Sequence, residues 1–467
     1  MAKRGATIYR CQNCGYEALQ WFGKCPDCNQ WNTLVEETVI EKVRDSSAGK
    51  RLTIFSSEPK LFTEVNGKEF KRYHTEISEF DRILGGGIVP GSLILIGGAP
   101  GVGKSTLMLQ ILSSLDKFKS LYISGEESIE QVKLRADRLS LNMNSNCYIL
   151  SETNLEFILE AINKILPTFV VVDSIQTMYN PNISSAPGSV SQVREVCAEL
   201  LNVAKTKNIT IFILGHITKE GAIAGPKVLE HLVDTVLYFE TEKSNIYRIL
   251  RVYKNRFGPT NEIGVFEMSS AGLKEIREPS KLFLHERSEE SVVGTSIVPI
   301  IEGSRVLFIE IQALITPTLF PIPRRMASGM DYNRMALLLA VIEKKIGYNF
   351  VNKDVFINII GGLKIKEPAL DLGVICACVS NVLEIPYPYK MVVFGEVGLL
   401  GEVRPVVQSI DRVSESERLG FKYCVLSKYV LGEEYKKFKN IKLLPISSIE
   451  EIPSILKSIM ERNKTSD

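Results

Sequence analysis

Leu93-Ile94-Leu95-Ile96-Gly97-Gly98-Ala99-Pro100-Gly101-Val102-Gly103-Lys104-Ser105-Thr106-Leu107-Met108-Leu109-Gln110 decides the fold. In order it reads as a buried apolar strand, a glycine loop and the first turns of a helix. Gly98, four residues and then Gly103-Lys104-Ser105 give the P-loop spacing. Glycines let the backbone curl so that several N–H groups face one anion, and a helix starting near Lys104 adds the positive end of its dipole. The predicted phosphate cradle is Gly98, Ala99, Pro100, Gly101, Val102, Gly103, Lys104, Ser105 and Thr106. Lys104 can reach the β and γ phosphates of ATP. The Ser105 hydroxyl suits Mg²⁺, a hard cation that prefers oxygen. A chance glycine turn would lack the strand before, the helix after and the Lys-Ser pair, so nucleotide binding follows.

Two more apolar runs end in carboxylates. Ser120-Leu121-Tyr122-Ile123-Ser124 reads as a strand, and Gly125-Glu126-Glu127-Ser128 opens an amphipathic helix to about Leu139. A carboxylate at the C-terminal tip of a parallel strand points at the ligand crevice. Glu126 is therefore the candidate to orient or deprotonate the attacking water; the bland alternative is an acid favoured at a helix N-terminus. Phe169-Val170-Val171-Val172-Asp173-Ser174 ends in an aspartate placed to hold Mg²⁺ from the second side. Strands alternating with helices, with ligand groups at one end, imply an α/β domain with a parallel doubly wound sheet.

Two loops follow the last core strands: Gln176 to Ser191, and the run after the strand Ile209 to Leu214, which reads Gly215-His216-Ile217-Thr218-Lys219-Glu220-Gly221 and continues to Gly225-Pro226-Lys227. Long unstructured loops in a compact domain are usually functional or disordered. His216 is either a structural histidine or a sensor of the γ-phosphate. Next, Ile246 to Tyr253 and Glu262 to Glu267 alternate as strands, joined by Lys254-Asn255-Arg256-Phe257-Gly258-Pro259, which predicts a hairpin with a basic tip.

Near the start, Cys11-Gln12-Asn13-Cys14 and Cys25-Pro26-Asp27-Cys28 lie ten residues apart, a spacing in which two tight turns aim Cys11, Cys14, Cys25 and Cys28 at one ion, expected to be zinc. Paired redox dithiols are the competing reading. So short a module cannot fold on apolar burial alone, so the metal supplies most of its folding free energy. Trp21, Phe22 and Trp31 are expected to form its small core, with exposed stacking surfaces for bases as the alternative. From about Thr38 to Phe70 the chain is polar and without steady period, a predicted linker.

The 467 residues, 45% of them hydrophobic, suffice for two or three domains. A net charge of +2 gives no global pull toward nucleic acid, so any such binding rests on local basic clusters. Nine cysteines, four of them in CxxC units, suggest reduced thiols and a metal. The N-terminus lacks an apolar signal region and the longest compact apolar run, Met335 to Ile342, is too short to span a bilayer, so no membrane segment and a cytoplasmic location are expected.

Taken together, the CxxC pairs, Gly98 to Ser105, Glu126, Asp173, Gly215 to Gly221 and Lys254-Asn255-Arg256-Phe257-Gly258 resemble the bacterial RadA/Sms family of DNA repair proteins over nearly the whole chain. The resemblance implies a zinc module (1–37), a linker (38–70), a RecA-like ATPase domain (71–284), an α+β domain similar to the proteolytic domain of Lon (285–460) and a tail (461–467). It implies a DNA-dependent ATPase acting on single-stranded or branched DNA in recombinational repair, by branch migration or unwinding. Lys254 and Arg256 would serve a neighbouring subunit's nucleotide or DNA, as a cation supplied in trans. The two loops would face single-stranded DNA. A homo-oligomer is expected, either a ring, a hexamer among the options, or a filament, with a recombinase or replicative helicase as partner. A RecA-like regulatory ATPase or an assembly scaffold, neither needing DNA, is the alternative.

In the C-terminal region, strands near Val292 to Ile301, Arg305 to Ile315, Val355 to Ile360 and Met391 to Val397 interleave with helices near Asn333 to Ile346, Pro368 to Val382 and Asp411 to Leu419. Lon-type catalysis needs a serine nucleophile and a lysine base. Here Glu367-Pro368-Ala369-Leu370-Asp371 carries alanine where the serine would fall, and Gly395 to Phe421 contains no lysine, so no peptidase is expected. Arg305, Arg324 and Arg325 are candidate phosphate ligands, or simply scattered surface arginines. The remaining cysteines, Cys147, Cys197, Cys376, Cys378 and Cys424, read as buried apolar residues.

Overall fold

The computed structural model describes residues 6–11, 14, 16–39, 61, 71–216, 229–241, 247–278, 291–360 and 365–464. Most of the predicted linker, and the second loop from Ile217 to Lys227, lie outside the described residues. The chain divides into two compact units, residues 1–241 with 245–277, and residues 278–467 with 242–244.

The N-terminal ribbon consists of β1 (Ala6–Cys11), β2 (Glu17–Ala18) and β3 (Leu34–Val39), antiparallel in the order β2-β1-β3. Cys11, Cys25 and Leu34 are its buried centre, with Phe22 packed against them. The expected tryptophan core is not observed: Trp21 is 54% and Trp31 69% exposed. The converging thiols already fill the middle of so small a module, and Trp21 is held at its rim by an indole N–H donated to the Leu34 carbonyl.

A nine-stranded sheet follows, built from β4 (Leu93–Gly98), β5 (Ser120–Ser124), β6 (Cys147–Ser151), β7 (Phe169–Asp173), β8 (Thr210–His216), β9 (Thr235–Thr241), β10 (Tyr247–Asn255), β11 (Ile263–Ser269) and β12 (Gly272–Glu275). The order is β12-β11-β10-β9-β4-β8-β7-β5-β6, with β9 through β6 parallel and β10 to β12 antiparallel at one edge. The P-loop strand is buried along its whole length because helices cover both faces. Ile94 and Ile96 pack on one side with α1 (Ser78–Ile83), α2 (Lys104–Ser114) and α3 (Ile129–Arg138); Leu93 and Leu95 pack on the other with α4 (Leu155–Ile165) and α5 (Val190–Lys207). Each such fully buried side chain contributes roughly 1.5–3 kcal/mol.

The second unit holds β13 (Thr295–Glu302), β14 (Arg305–Pro317), β15 (Arg325–Ser328) and β16 (Lys353–Ile359) in the order β13-β14-β16-β15. Beyond them, β17 (Met391–Val393), β20 (Tyr423–Ser427) and β21 (Lys442–Ile446) form a parallel sheet, and β18 (Glu396–Val397) pairs with β19 (Val403–Arg404). Its helices are α6 (Tyr332–Ile346), α7 (Leu370–Val382), α8 (Ser409–Arg418) and α9 (Ile452–Lys464). α9 carries the chain four residues into the expected tail. α7 is buried from Leu370 to Ser380, as an apolar-all-round helix must be.

The predicted hairpin forms between β10 and β11, but Lys254 belongs to the strand rather than to the tip. Lys254 lies within β10, opposite Val236 and beside a bulge, and its ammonium donates to the carbonyl of Glu230 at 2.6 Å. Arg256 reaches Asp234 Oδ1 at 3.2 Å. Asp234 is 2% exposed and also accepts from Lys205 Nζ at 2.6 Å and from the backbone N–H of Leu93 at 3.0 Å. One carboxylate thus ties the start of β9 to the start of β4. Replacing it leaves the buried Leu93 amide without its acceptor and two partly exposed cations without their partner, a loss of about 1–3 kcal/mol. Asp234→Ala is therefore expected to lower the urea midpoint of the ATPase unit, read by circular dichroism; an unchanged midpoint would refute this role.

Candidate nucleotide site and metal centre

α2 begins at Lys104, directly after Gly103, whose φ of +112° only glycine adopts easily. A Cβ there would also stand 2.7 Å from Met268 Cε. The first turn of α2 has no side-chain cap and its free N–H groups face the cavity. Lys104 is buried; its Nζ donates to the carbonyls of Gly98 (2.9 Å) and Ala99 (3.0 Å) and lies 3.2 Å from His216 Nδ1. Burial pulls its pKa down to about 8, opposed by the charges of Asp173 and Glu126.

The tips of β5, β7 and β8 bring the other groups to this point. Glu126 Oε1 accepts from Ser174 Oγ at 2.5 Å and sits 3.2 Å from His216 Nε2. Asp173 Oδ2 accepts from the Tyr122 hydroxyl at 2.5 Å. Gly125, just ahead of Glu126, passes so close to the next loop that a Cβ would stand 2.0 Å from Thr177 Oγ1. The cavity of about 330 Å³ is lined by Pro100, Gly101, Gly103, Lys104, Ser105, Thr106, Glu126, Asp173 and His216, all among the predicted site residues, and by Ser124, Glu127, Arg135, Arg138 and Met268, which were not. Gly98, Ala99 and Val102 lie outside its lining, and the Val102 side chain is in the core. The two arginines stand one helical turn apart on α3, a signal readable in the sequence; Arg135 pairs with Glu127. Met268 comes from β11 and had no local signal. Ser105 and Asp173 supply a hydroxyl and a carboxylate beside the loop, oxygen donors that fit Mg²⁺.

Lys254 and Arg256 do not line this cavity in their own subunit. The first predicted loop is not unstructured: Gln192 Nε2 donates to the carbonyls of Asn180, Ile183 and Ser185, and Ser189 caps α5. In the second unit, Ala369 is fully buried just ahead of α7. The Arg324 guanidinium stacks 3.7 Å from the Phe320 ring, Arg325 donates to the Phe350 carbonyl, and Arg305 sits opposite Glu302. Cys197, Cys376, Cys378 and Cys424 are buried as expected, while Cys147 is only half-buried.

In the ribbon, the Sγ atoms of Cys11, Cys14, Cys25 and Cys28 all lie within 4.8 Å of one another, with Cys11–Cys28 and Cys14–Cys25 at 3.6 Å. Tetrahedral thiolates on zinc stand about 3.8 Å apart, so the set fits that ion. The four sulfurs share one centre rather than forming separate pairs, as ligands of a single ion do. Among the described residues no helix is long and apolar enough to cross a membrane.

Two stretches of the chain match known families. Residues 9–36 match a family described as a rubredoxin metal binding domain, and residues 59–222 one described as an AAA domain. A KaiC-like protein from Pyrococcus horikoshii aligns with 44% of this chain and 100% of its own at 18% identity and a TM-score of 0.38. The chain is 50% identical over 448 residues to the DNA repair protein RadA of Bacillus subtilis, covering 94% of this chain and 96% of that one. It is 48% identical over 452 residues to RadA of Listeria monocytogenes, covering 96% and 98%. ATP, Mg²⁺ and Zn²⁺ are the cofactors of such a zinc-ribbon ATPase. On that sustained identity across both units, the chain belongs to the RadA family of DNA repair proteins.

Proposed function

We propose that the chain is a DNA-dependent ATPase that binds single-stranded or branched DNA and drives branch migration or unwinding of recombination intermediates as a homo-oligomeric ring. The observation that carries this reading is the polar chain from Lys104 through His216 to Glu126. His216 is the last residue of β8, immediately before the segment 217–227 that we assign to DNA. A displacement of that segment would reach the hydrolytic acid through one histidine.

In hydrolysis, Lys104 and the N–H groups of the loop offset charge on the phosphates, and Ser105 and Asp173 are the residues to hold Mg²⁺. Glu126 is anchored through Oε1 to Ser174 and His216, which leaves Oε2 to accept the proton of the attacking water. The water oxygen bonds to the γ-phosphorus while its bond to the β-bridging oxygen breaks, giving ADP and phosphate. Lys254 and Arg256, lying outside their own subunit's cavity, serve the neighbour's nucleotide or the DNA in a ring. The exposed Trp21 and Trp31 make the ribbon a surface for DNA or for a recombinase or helicase partner.

The deciding experiment is the steady-state ATPase rate with and without single-stranded DNA across a salt series. Stimulation that fades as salt rises is expected, because phosphate contacts release counterions, and Lys254→Ala should lose the stimulation while still binding ATP. A rate indifferent to DNA at every salt, with no DNA binding in the ATP state, would favour a regulatory ATPase or scaffold. A second expectation comes from Lys104. Its ammonium is lost as pH rises through about 8 in the nucleotide-free chain, whereas the triphosphate needs it charged. ATP affinity should fall toward tenfold per pH unit as pH rises above about 8, by proton linkage; calorimetric titrations flat from about pH 7.5 to 9.5 would contradict a Lys104 ammonium weakened by burial.

A further inference from the structure

Tyr122 is the one polar-tipped ring in a strand otherwise made of small and aliphatic residues, and it is 1% exposed. Its body belongs to the core beneath α2, packed among residues such as Leu107, Met108 and Phe169. Phenylalanine would fill that volume equally well, and a buried hydroxyl without a partner is costly. The hydroxyl has two neighbours, and both are residues assigned to Mg²⁺.

The register explains the reach. β5 and β7 pair in parallel with Tyr122 opposite Val171 and Ser124 opposite Asp173. Side chains two residues apart share a face, so Tyr122 and Asp173 lie diagonally on the side covered by α2. A long ring spans that diagonal: the phenol donates to Asp173 Oδ2 at 2.5 Å, and the Ser105 hydroxyl at the start of α2 is hydrogen-bonded to the phenol oxygen itself. The donor fixes which carboxylate oxygen is turned inward and leaves Oδ1 for the cavity.

We infer that Tyr122 is a positioning residue for Mg²⁺: its phenol clamps the Asp173 carboxylate and the Ser105 hydroxyl in the mutual geometry that the cation requires. This rests on the nucleotide site proposed above and goes beyond it in naming what orients the metal ligands. Groups that orient metal ligands typically set affinity by about 10–100-fold.

The test is Tyr122→Phe in the full chain, which removes one oxygen and keeps the ring. ATP affinity is measured calorimetrically in EDTA and then in a Mg²⁺ series, with Mn²⁺ binding to the ATP complex followed by electron paramagnetic resonance. The expected result is unchanged affinity in EDTA, a Mg²⁺ half-saturation raised about tenfold and a broadened or weakened Mn²⁺ signal. Adding Asp173→Asn should erase the difference, since Tyr122 acts through that carboxylate. Equal losses with and without Mg²⁺, or an unshifted half-saturation, would overturn the inference while leaving the phosphate cradle intact. If wild type itself bound no ATP, the cradle would fail instead. Should Tyr122→Phe not fold, 3-fluorotyrosine at position 122 keeps the ring and hydroxyl while altering the strength of the donor: a shifted Mg²⁺ half-saturation with unchanged affinity in EDTA is expected, and an unshifted one refutes the clamp.

Discussion

Convergence on one small anion is the constraint that organises this ATPase unit. A triphosphate must be met at once by backbone N–H groups, a cation and oxygen donors, and no single loop supplies all of them. A parallel sheet solves this by ending several strands at the same edge. β4 is flanked by β8 and β9, with β7 and β5 beyond, so Gly98, His216, Asp173 and Ser124 finish in neighbouring positions. Every helix that packs on either face serves to hold those tips at one level. The antiparallel strands β10 to β12 extend the sheet on the far side of β9 and bring Met268 and Leu273 against the glycine loop.

Local groups dominate the electrostatics of the site. Lys104 is placed where burial weakens its charge and two carboxylates restore part of it. An ammonium poised in this way answers strongly to the arrival of phosphate. Arg135, by contrast, is already committed to Glu127 across the mouth of the cavity. The site therefore separates a responsive cation from a bound one.

What sequence could reveal follows the range of the interactions. The loop, Glu126, Asp173 and the cysteine knuckles were legible because each is a short run whose chemistry is set by its own neighbours. Tyr122 was not, since its partner lies on another strand and only the register aligns them. Met268 was invisible for the same reason. Lys254 and Arg256 were visible as a basic run, but their partners were not: Lys254 reaches the Glu230 carbonyl and Arg256 the Asp234 carboxylate, both on a distant stretch of chain. The tryptophans misled because aromatic residues usually fill small cores, whereas in the ribbon the thiols occupy that space. In the second unit, the Arg334–Asp371 pair, of which only the carboxylate is buried, could not be read from a line of residues.

Gly125 places a limit on how this protein can be altered. Backbone and loop pass so closely there that even a methyl group would collide with Thr177, so the residue ahead of Glu126 and the loop after β7 are packed as one unit. Neither side can be redesigned alone: a library that varies residues 174–178 must keep its threonine-sized gap. Any exchange at position 125 therefore has to be matched by a smaller residue at position 177.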